Sequence, residues 1–203
     1  MYLHAVAVSR EPVGILGGTF DPVHNAHLVI ARRALEALGL ARILWMPTAA
    51  PGYRNPPVAP AAHRVAMLKL AIAGEPRFAL NERELAAGAS GYTFDTLSSL
   101  RNELGAHVSL VMLIGSDQYE KLGAWYRARD LFQLCRFAVF ARPGWSASAT
   151  EVPRDSITHV LMEPLAVSAS DIRARIRRGE DVSGMLPGAV LRYIKRHHLY
   201  GHP

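Results

Sequence analysis

The stretch Val13-Gly14-Ile15-Leu16-Gly17-Gly18-Thr19-Phe20-Asp21-Pro22-Val23-His24-Asn25-Ala26-His27 decides the fold. Its opening apolar run reads as a buried strand, and the Gly-Gly and Asp-Pro pairs behind it read as a sharp turn. Leu28, Ala31, Leu35 and Leu38 then recur at steps of three, four and three before Gly39. That spacing predicts a helix with one apolar face, ended by the glycine.

The same alternation continues outward. Arg42 to Met46 reads as a strand, and Val65, Leu68 and Ile72 mark a helix stopped by Gly74 and Pro76. Phe94, Leu97, Leu100 and Leu104 mark a third helix, closed by Gly105, which feeds the most apolar run of the chain, Val108 to Ile114. A run that is hydrophobic on both faces suits a central parallel strand covered by helices on both sides. Arg136 to Ala141 and His159 to Met162 read as further strands, and two helices near Ser170 to Arg178 and Pro187 to His197 complete the chain. Pro47 to Pro60, with five prolines, and Arg142 to Asp155 read as loops.

Strands alternating with helices predict an α/β fold: an open, doubly wound parallel sheet with right-handed crossovers. Ligands in such sheets lie beyond the carboxyl ends of the strands, where strand order reverses. Gly17 to His27 and Gly115 to Trp125 are the two candidate ends. With 203 residues the chain reads as a single domain, 1–203, preceded by a flexible extension over 1–11.

Composition narrows the class. The chain is 50% hydrophobic and 20% charged, with formal net charge +6, and its one cysteine rules out an internal disulfide framework. Cys135 lies in the apolar run Leu134 to Phe140, which favours a buried, inert thiol over a nucleophile. No apolar stretch approaches the roughly 18 residues that cross a bilayer. Met1 to Arg10 is too short and too broken by His4 and Arg10 for a secretory signal, so a cytoplasmic protein without membrane contact is expected. Only Lys69, Lys121 and Lys195 are lysines; the scattered arginines suit phosphate or carboxylate ligands. No long basic run or aromatic-interleaved patch points to nucleic acid. A homo-oligomer is compatible with the sequence, which does not specify assembly.

Gly17 to His27 has neither the Lys-Ser/Thr end of a P-loop nor the spacing of a dinucleotide fingerprint. It offers two glycines that let a ligand approach the backbone, and two histidines at i, i+3 where a helix begins. Free N–H groups and the positive end of the helix dipole make that place a candidate polyphosphate site, with the imidazoles as further donors able to be cationic near neutral pH. The same histidines also read as helix-start residues with satisfied hydrogen bonds. A zinc pair is a weaker third reading, since a companion Glu and a third ligand at helical spacing are missing nearby.

GGTFDPVHNAH resembles the GGTFDPxHxGH signature of the HxGH-motif nucleotidyltransferases, and more narrowly that of the bacterial nicotinate-nucleotide adenylyltransferases. Gly91 to Leu97 (GYTFDTL) is similar to the family's SYTxxTL, Ile114 to Asp117 to its IGxD and Trp125-Tyr126 to its WY pair. Arg142-Pro143-Gly144 is similar to its RPG, and Val167 to Arg173 to its (I/V)SSTxIR. The departures are Ala26 for glycine, Ala169 for Ser, Ser170 for Thr, and Pro51-Gly52-Tyr53-Arg54 where the family reads PPHK or PPHR.

The resemblance implies a Rossmann-like nucleotidyltransferase fold and transfer of AMP from ATP to nicotinate mononucleotide, giving deamido-NAD and pyrophosphate in NAD biosynthesis. It implies His24 and His27 as catalytic donors to the triphosphate. Gly17, Gly18, Thr19, Phe20, Asp117, Ser168, Ser170 and Arg173 become ATP-binding candidates. Arg54, Thr93, Trp125, Tyr126 and Arg142 become acceptor-binding candidates, with Trp125 as a stacking face for the pyridine ring. Asp171 reads as support for a helix start, and Asp117 alternatively as a helix cap. Mg²⁺ is expected to arrive on the ATP phosphates, with no protein ligand named. Relatives acting on pantetheine phosphate or glycerol phosphate fit less well, since an aliphatic acceptor needs no stacking platform. A nucleotide-sensing module without turnover is the rival from another class, and Ala26 and Tyr53 are the features that would favour it.

Overall fold

The computed structural model describes residues 12–49, 56–141, 145, 153–163 and 165–201. Six strands, β1 (Val13–Gly18), β2 (Arg42–Pro47), β3 (Phe78–Leu80), β4 (Leu110–Gly115), β5 (Arg136–Ala141) and β6 (Ile157–Leu161), form one sheet. Their order is β3-β2-β1-β4-β5-β6, and every neighbouring pair is parallel. The expected open α/β sheet is therefore present, and strand order reverses between β1 and β4.

Strand periodicity explains why β4 is apolar throughout. Leu110, Met112 and Ile114 face one core, with Val13, Ile15 and Leu97 and Leu100 of α3 (Thr93–Leu104). Val111 and Leu113 face the other, with Leu28 and Leu35 of α1 (Asn25–Ala37) and Met67 and Leu68 of α2 (Ala61–Ile72). Ile172 and Ile176 of α6 and Val190 and Ile194 of α7 belong to the same second core. Here α4 is Ser116–Tyr119, α5 Ala128–Leu134, α6 Ala169–Arg177 and α7 Gly188–Arg196. Each core closes one face of the sheet, so neither face of a central strand meets water. α1 ends where expected, with Gly39 at φ +57 just beyond it.

Three readings of the sequence are corrected. The last strand is Ile157–Leu161, two residues earlier than His159 to Met162 at its start. It is an edge strand, and Thr158, His159 and Leu161 are exposed, which breaks the apolar signal at its beginning. β3, three residues long, and the short helices α4 and α5 carry too few apolar positions to show a period. The central strand starts at Leu110 rather than Val108. The extension over 1–11, Arg54 and Arg142 lie outside the described residues. Among the described residues no helix is long and apolar enough to cross a membrane.

Candidate active site

The sheet opens where β1 and β4 part. Their pairing stops at Ile15↔Met112, although β1 runs on to Gly18 and β4 to Gly115. A cavity of about 820 Å³ fills the resulting crevice. Gly17, Gly18, Thr19 and His27 line one end, Thr93, Trp125 and Tyr126 the other, and Asp117 stands at the end of β4. The structure thus brings eight of the sequence candidates to one place.

The turn after β1 is held from behind. Gly18 lies close against the turn, since a Cβ there would sit 3.1 Å from the Phe20 ring, which would have to give by a few tenths of an ångström. Phe20 itself is buried with φ +50 and packs its ring against Trp45 and edge-on to His27. The Asp21 carboxylate accepts three hydrogen bonds: from the Val58 N–H (2.7 Å), the Ala59 N–H (3.1 Å) and the Tyr200 hydroxyl (2.8 Å). Burial first, and then the adjacent carboxylate, push the Tyr200 phenol upward, so it stays a donor. Arg64 donates to the Thr19 carbonyl and Arg173 to the Asp21 carbonyl, both at 2.6 Å. Two guanidiniums therefore draw the carbonyls of the turn to its rear.

His24 caps α1 in extended conformation, and its backbone N–H donates to Nδ1 of His27 at 3.2 Å. Because Nδ1 of His27 accepts, the proton of the neutral ring resides on Nε2. The two rings stack with centroids 3.7 Å apart. Burial lowers the His24 pKa to about 4. Burial, and next the neighbouring His24, hold His27 well below the usual imidazole range. In the free protein burial thus favours the neutral form of both rings. Only His27 lines the cavity; His24 and Phe20 are buried behind it.

The charged side chains on the cavity wall, among the described residues, are Asp117 and Glu84, while the cations Arg64 and Arg173 grip the turn from outside. Ser168 is the N-cap of α6: its hydroxyl accepts from the Asp171 N–H and lies 3.2 Å from the Ser170 hydroxyl. Ser168, Ser170 and Arg173 do not line the cavity. Asp171 lies in the first turn of α6 and pairs with Arg175 at 2.9 Å. Asp117 is not a cap, since Gly115 caps α4 and Asp117 sits inside its first turn.

Sequence reasoning missed Glu84 and Thr96. Glu84 is a buried carboxyl on the cavity wall whose Oε1 accepts from the Thr96 hydroxyl at 2.8 Å. Burial raises its pKa, opposed by that hydrogen bond and by Arg83. Glu84 lies in a charged run, Asn81 to Leu85, that carries no pattern pointing inward. At the same end, Thr93 is the first residue of α3, so its N–H lies outside the helical ladder. Trp125 is half-buried against the core formed with α3.

Residues 15–175 match the family model described as cytidylyltransferase-like. A protein of Laribacter hongkongensis (strain HLHK9) named "Probable nicotinate-nucleotide adenylyltransferase" is 42% identical over 209 residues, covering 94% of this chain and 95% of its own length. One of the same name from Bordetella petrii is 42% identical over 195 residues, covering 93% and 98%. The solved structure of Plasmodium falciparum nicotinic acid mononucleotide adenylyltransferase with NaAD superposes with TM-score 0.78 at 17% identity, over 95% of this chain and 98% of that one.

Proposed function

This chain belongs to the cytidylyltransferase-like family and, within it, to the nicotinate-nucleotide adenylyltransferases, and from that premise we propose how its cavity carries out the transfer. The enzyme moves AMP from ATP to nicotinate mononucleotide in NAD biosynthesis. An oxygen of the acceptor's 5′-phosphate bonds to the α-phosphorus of ATP, the bond from that phosphorus to the bridging oxygen breaks, and pyrophosphate leaves with the electron pair. No protein nucleophile is needed, so the chain's work is positioning and charge stabilisation.

His27 carries the chemistry in this reading. Its Nε2–H, fixed by the bond at Nδ1, donates to the triphosphate as charge grows on the leaving pyrophosphate. His24 stacks behind it and holds the ring's orientation. A neutral donor suits a ligand that arrives with its own charge, since no cation has to be kept in the buried turn before the triphosphate binds. Gly17 to Phe20 supply backbone close to the phosphates at the positive end of α1. Ser168, Ser170 and Arg173, at the start of α6 and outside the cavity wall, are assigned to the outer β- and γ-phosphates, Arg173 while it also holds the Asp21 carbonyl.

Asp117 accepts from a ribose hydroxyl. Trp125 stacks on the pyridine ring, and the Thr93 and Tyr126 N–H groups donate to the nicotinate carboxylate. An amide in that place would turn its own donors toward them, and one unpaired buried donor costs roughly 1–3 kcal/mol. Arg54 and Arg142 are assigned to the acceptor phosphate.

Members of this class work with a divalent metal and ATP, and Mg²⁺ is the ion we assign. No group of three or more His, Cys, Asp or Glu side chains among the described residues forms a metal cage. Such an ion would be carried mainly by the triphosphate and water, and would neutralise part of the triphosphate charge.

The observation that carries this reading is His27 and Trp125 on the walls of one cavity at the β1–β4 opening. Pyrophosphate release is measured with ATP, Mg²⁺ and either nicotinate or nicotinamide mononucleotide. Release with the acid well above the amide is expected. No release with either removes the activity, and equal release removes the carboxylate argument.

A further inference from the structure

Two tyrosines meet across the acceptor end of the cavity. Tyr92 precedes α3 and Tyr126 follows Trp125, so they belong to two separate wall segments. Their ring centroids lie 4.6 Å apart with planes 35° apart. Both are solvent-exposed, at 39% and 50%, yet each ring is turned onto the other. The Tyr126 ring also meets the Phe94 ring edge-on at 6.3 Å. The Arg127 guanidinium sits 3.8 Å from the Phe94 centroid and is held by Asp130 at 2.6 Å. Arg127 has φ +53, a left-handed residue directly after Tyr126 that turns the chain at this contact.

The geometry points to a ring clasp: the Tyr92–Tyr126 stack ties the two segments that wall the acceptor end and sets the width of the slot in front of Trp125. The clasp rests on the reading of that end as the acceptor site. A flat ring lying against Trp125 gains only if the facing wall stays at a fixed distance, because dispersion falls steeply with a gap of even half an ångström. The two segments also meet through Phe94, whose ring takes the Tyr126 edge and the Arg127 guanidinium, and the tyrosine pair is the part of that contact whose residues line the cavity. Tyr92 and Tyr126 are positioning residues in this account, and their ring faces rather than their hydroxyls do the work. The ATP end, built on β1 and α1, is independent of them.

Steady-state kinetics of Tyr92→Ala, Tyr126→Ala and the double variant test the clasp. Each single variant is expected to raise KM for nicotinate mononucleotide about tenfold, or about 1.4 kcal/mol, the upper range for a ring pair. KM for ATP is expected to move less than about twofold on that scale. The double variant adds nothing further, and Tyr92→Phe restores most of the loss. Because both side chains are exposed, the core is untouched; Tyr92→Leu gives the same reading should alanine at 92 disturb folding. Equal rises in both KM values, additive effects in the double variant, or a Phe variant as poor as Ala would each overturn the clasp. A wild type inactive with nicotinate mononucleotide removes the acceptor reading and the clasp with it. An active wild type with unchanged variants removes the clasp alone.

Discussion

Replacing Asp21 by Asn changes one oxygen into an NH₂ at a site where every neighbour donates. The carboxylate is 4% exposed and takes the Val58 N–H on one oxygen and the Ala59 N–H and Tyr200 hydroxyl on the other. Either orientation of the amide turns a donor on a donor and leaves at least one buried group unpaired, at roughly 1–3 kcal/mol. The bonds that survive lose their charge assistance, which accounts for about half their strength. Arg173, 3.9 Å from the carboxylate, loses its counter-charge as well. Together these give about 3–5 kcal/mol, the usual cost of removing one partner of a buried charged network. At about 2–4 °C per kcal/mol for a chain of this size, the unfolding midpoint falls by roughly 10 °C. Thermal unfolding followed by circular dichroism reads this directly. Tyr200→Phe, which removes only one of the three bonds, is expected to cost about 1–2 kcal/mol by the same reasoning. A midpoint for Asp21→Asn indistinguishable from wild type would refute the claim that this carboxylate anchors the turn.

Three further outcomes are expected. His24 titrates near 4 when folded and near 6.5 when unfolded, so the unfolded chain takes up its proton first as pH drops. Its share of stability, about 3 kcal/mol, is complete above 6.5 and is lost as pH falls toward 4. Denaturant titrations across that window should show a steeper loss for wild type than for His24→Asn, and parallel curves would contradict the burial argument. His27→Ala should lower kcat about 100-fold, the scale of losing one transition-state donor. His27→Gln keeps an acceptor for the His24 N–H and so separates capping from catalysis; near-normal turnover in both variants would clear His27. Burial pushes the Cys135 thiol up to about 12, so alkylation with iodoacetamide should proceed in denaturant but not in the native protein, and stoichiometric native labelling would contradict it.

The placement of the site was legible because it depends on strand ends. An apolar run ending in glycines, and a second run apolar on both faces, locate the two central strands, and the cavity lies where they part. Trp125 falls in a segment that the strand-end argument already picks out, but its role as a stacking face, and Thr93 altogether, are legible only through motif resemblance. What local sequence does not carry is burial. The loss of charge at His24 and His27 follows from burial in the folded chain, where Phe20 packs edge-on to His27 and itself lies against Trp45 of β2. The brace on the turn joins Asp21 to Val58, Ala59, Arg173 and Tyr200, separations of 37 to 179 residues that no local pattern encodes. Glu84 was invisible for the same reason, because a charged run on paper becomes an inward carboxyl only when α3 supplies Thr96. Edge strand β6 was misplaced because exposure on both sides removes the alternation by which strands are found.

The position of bound triphosphate tests the central claim most directly. In a crystal of the protein soaked with a non-hydrolysable ATP analogue, the triphosphate is predicted within hydrogen-bond reach of His27 Nε2 at the start of α1, with the ribose toward Asp117. Triphosphate density outside the opening between β1 and β4, with His27 left untouched, would contradict it.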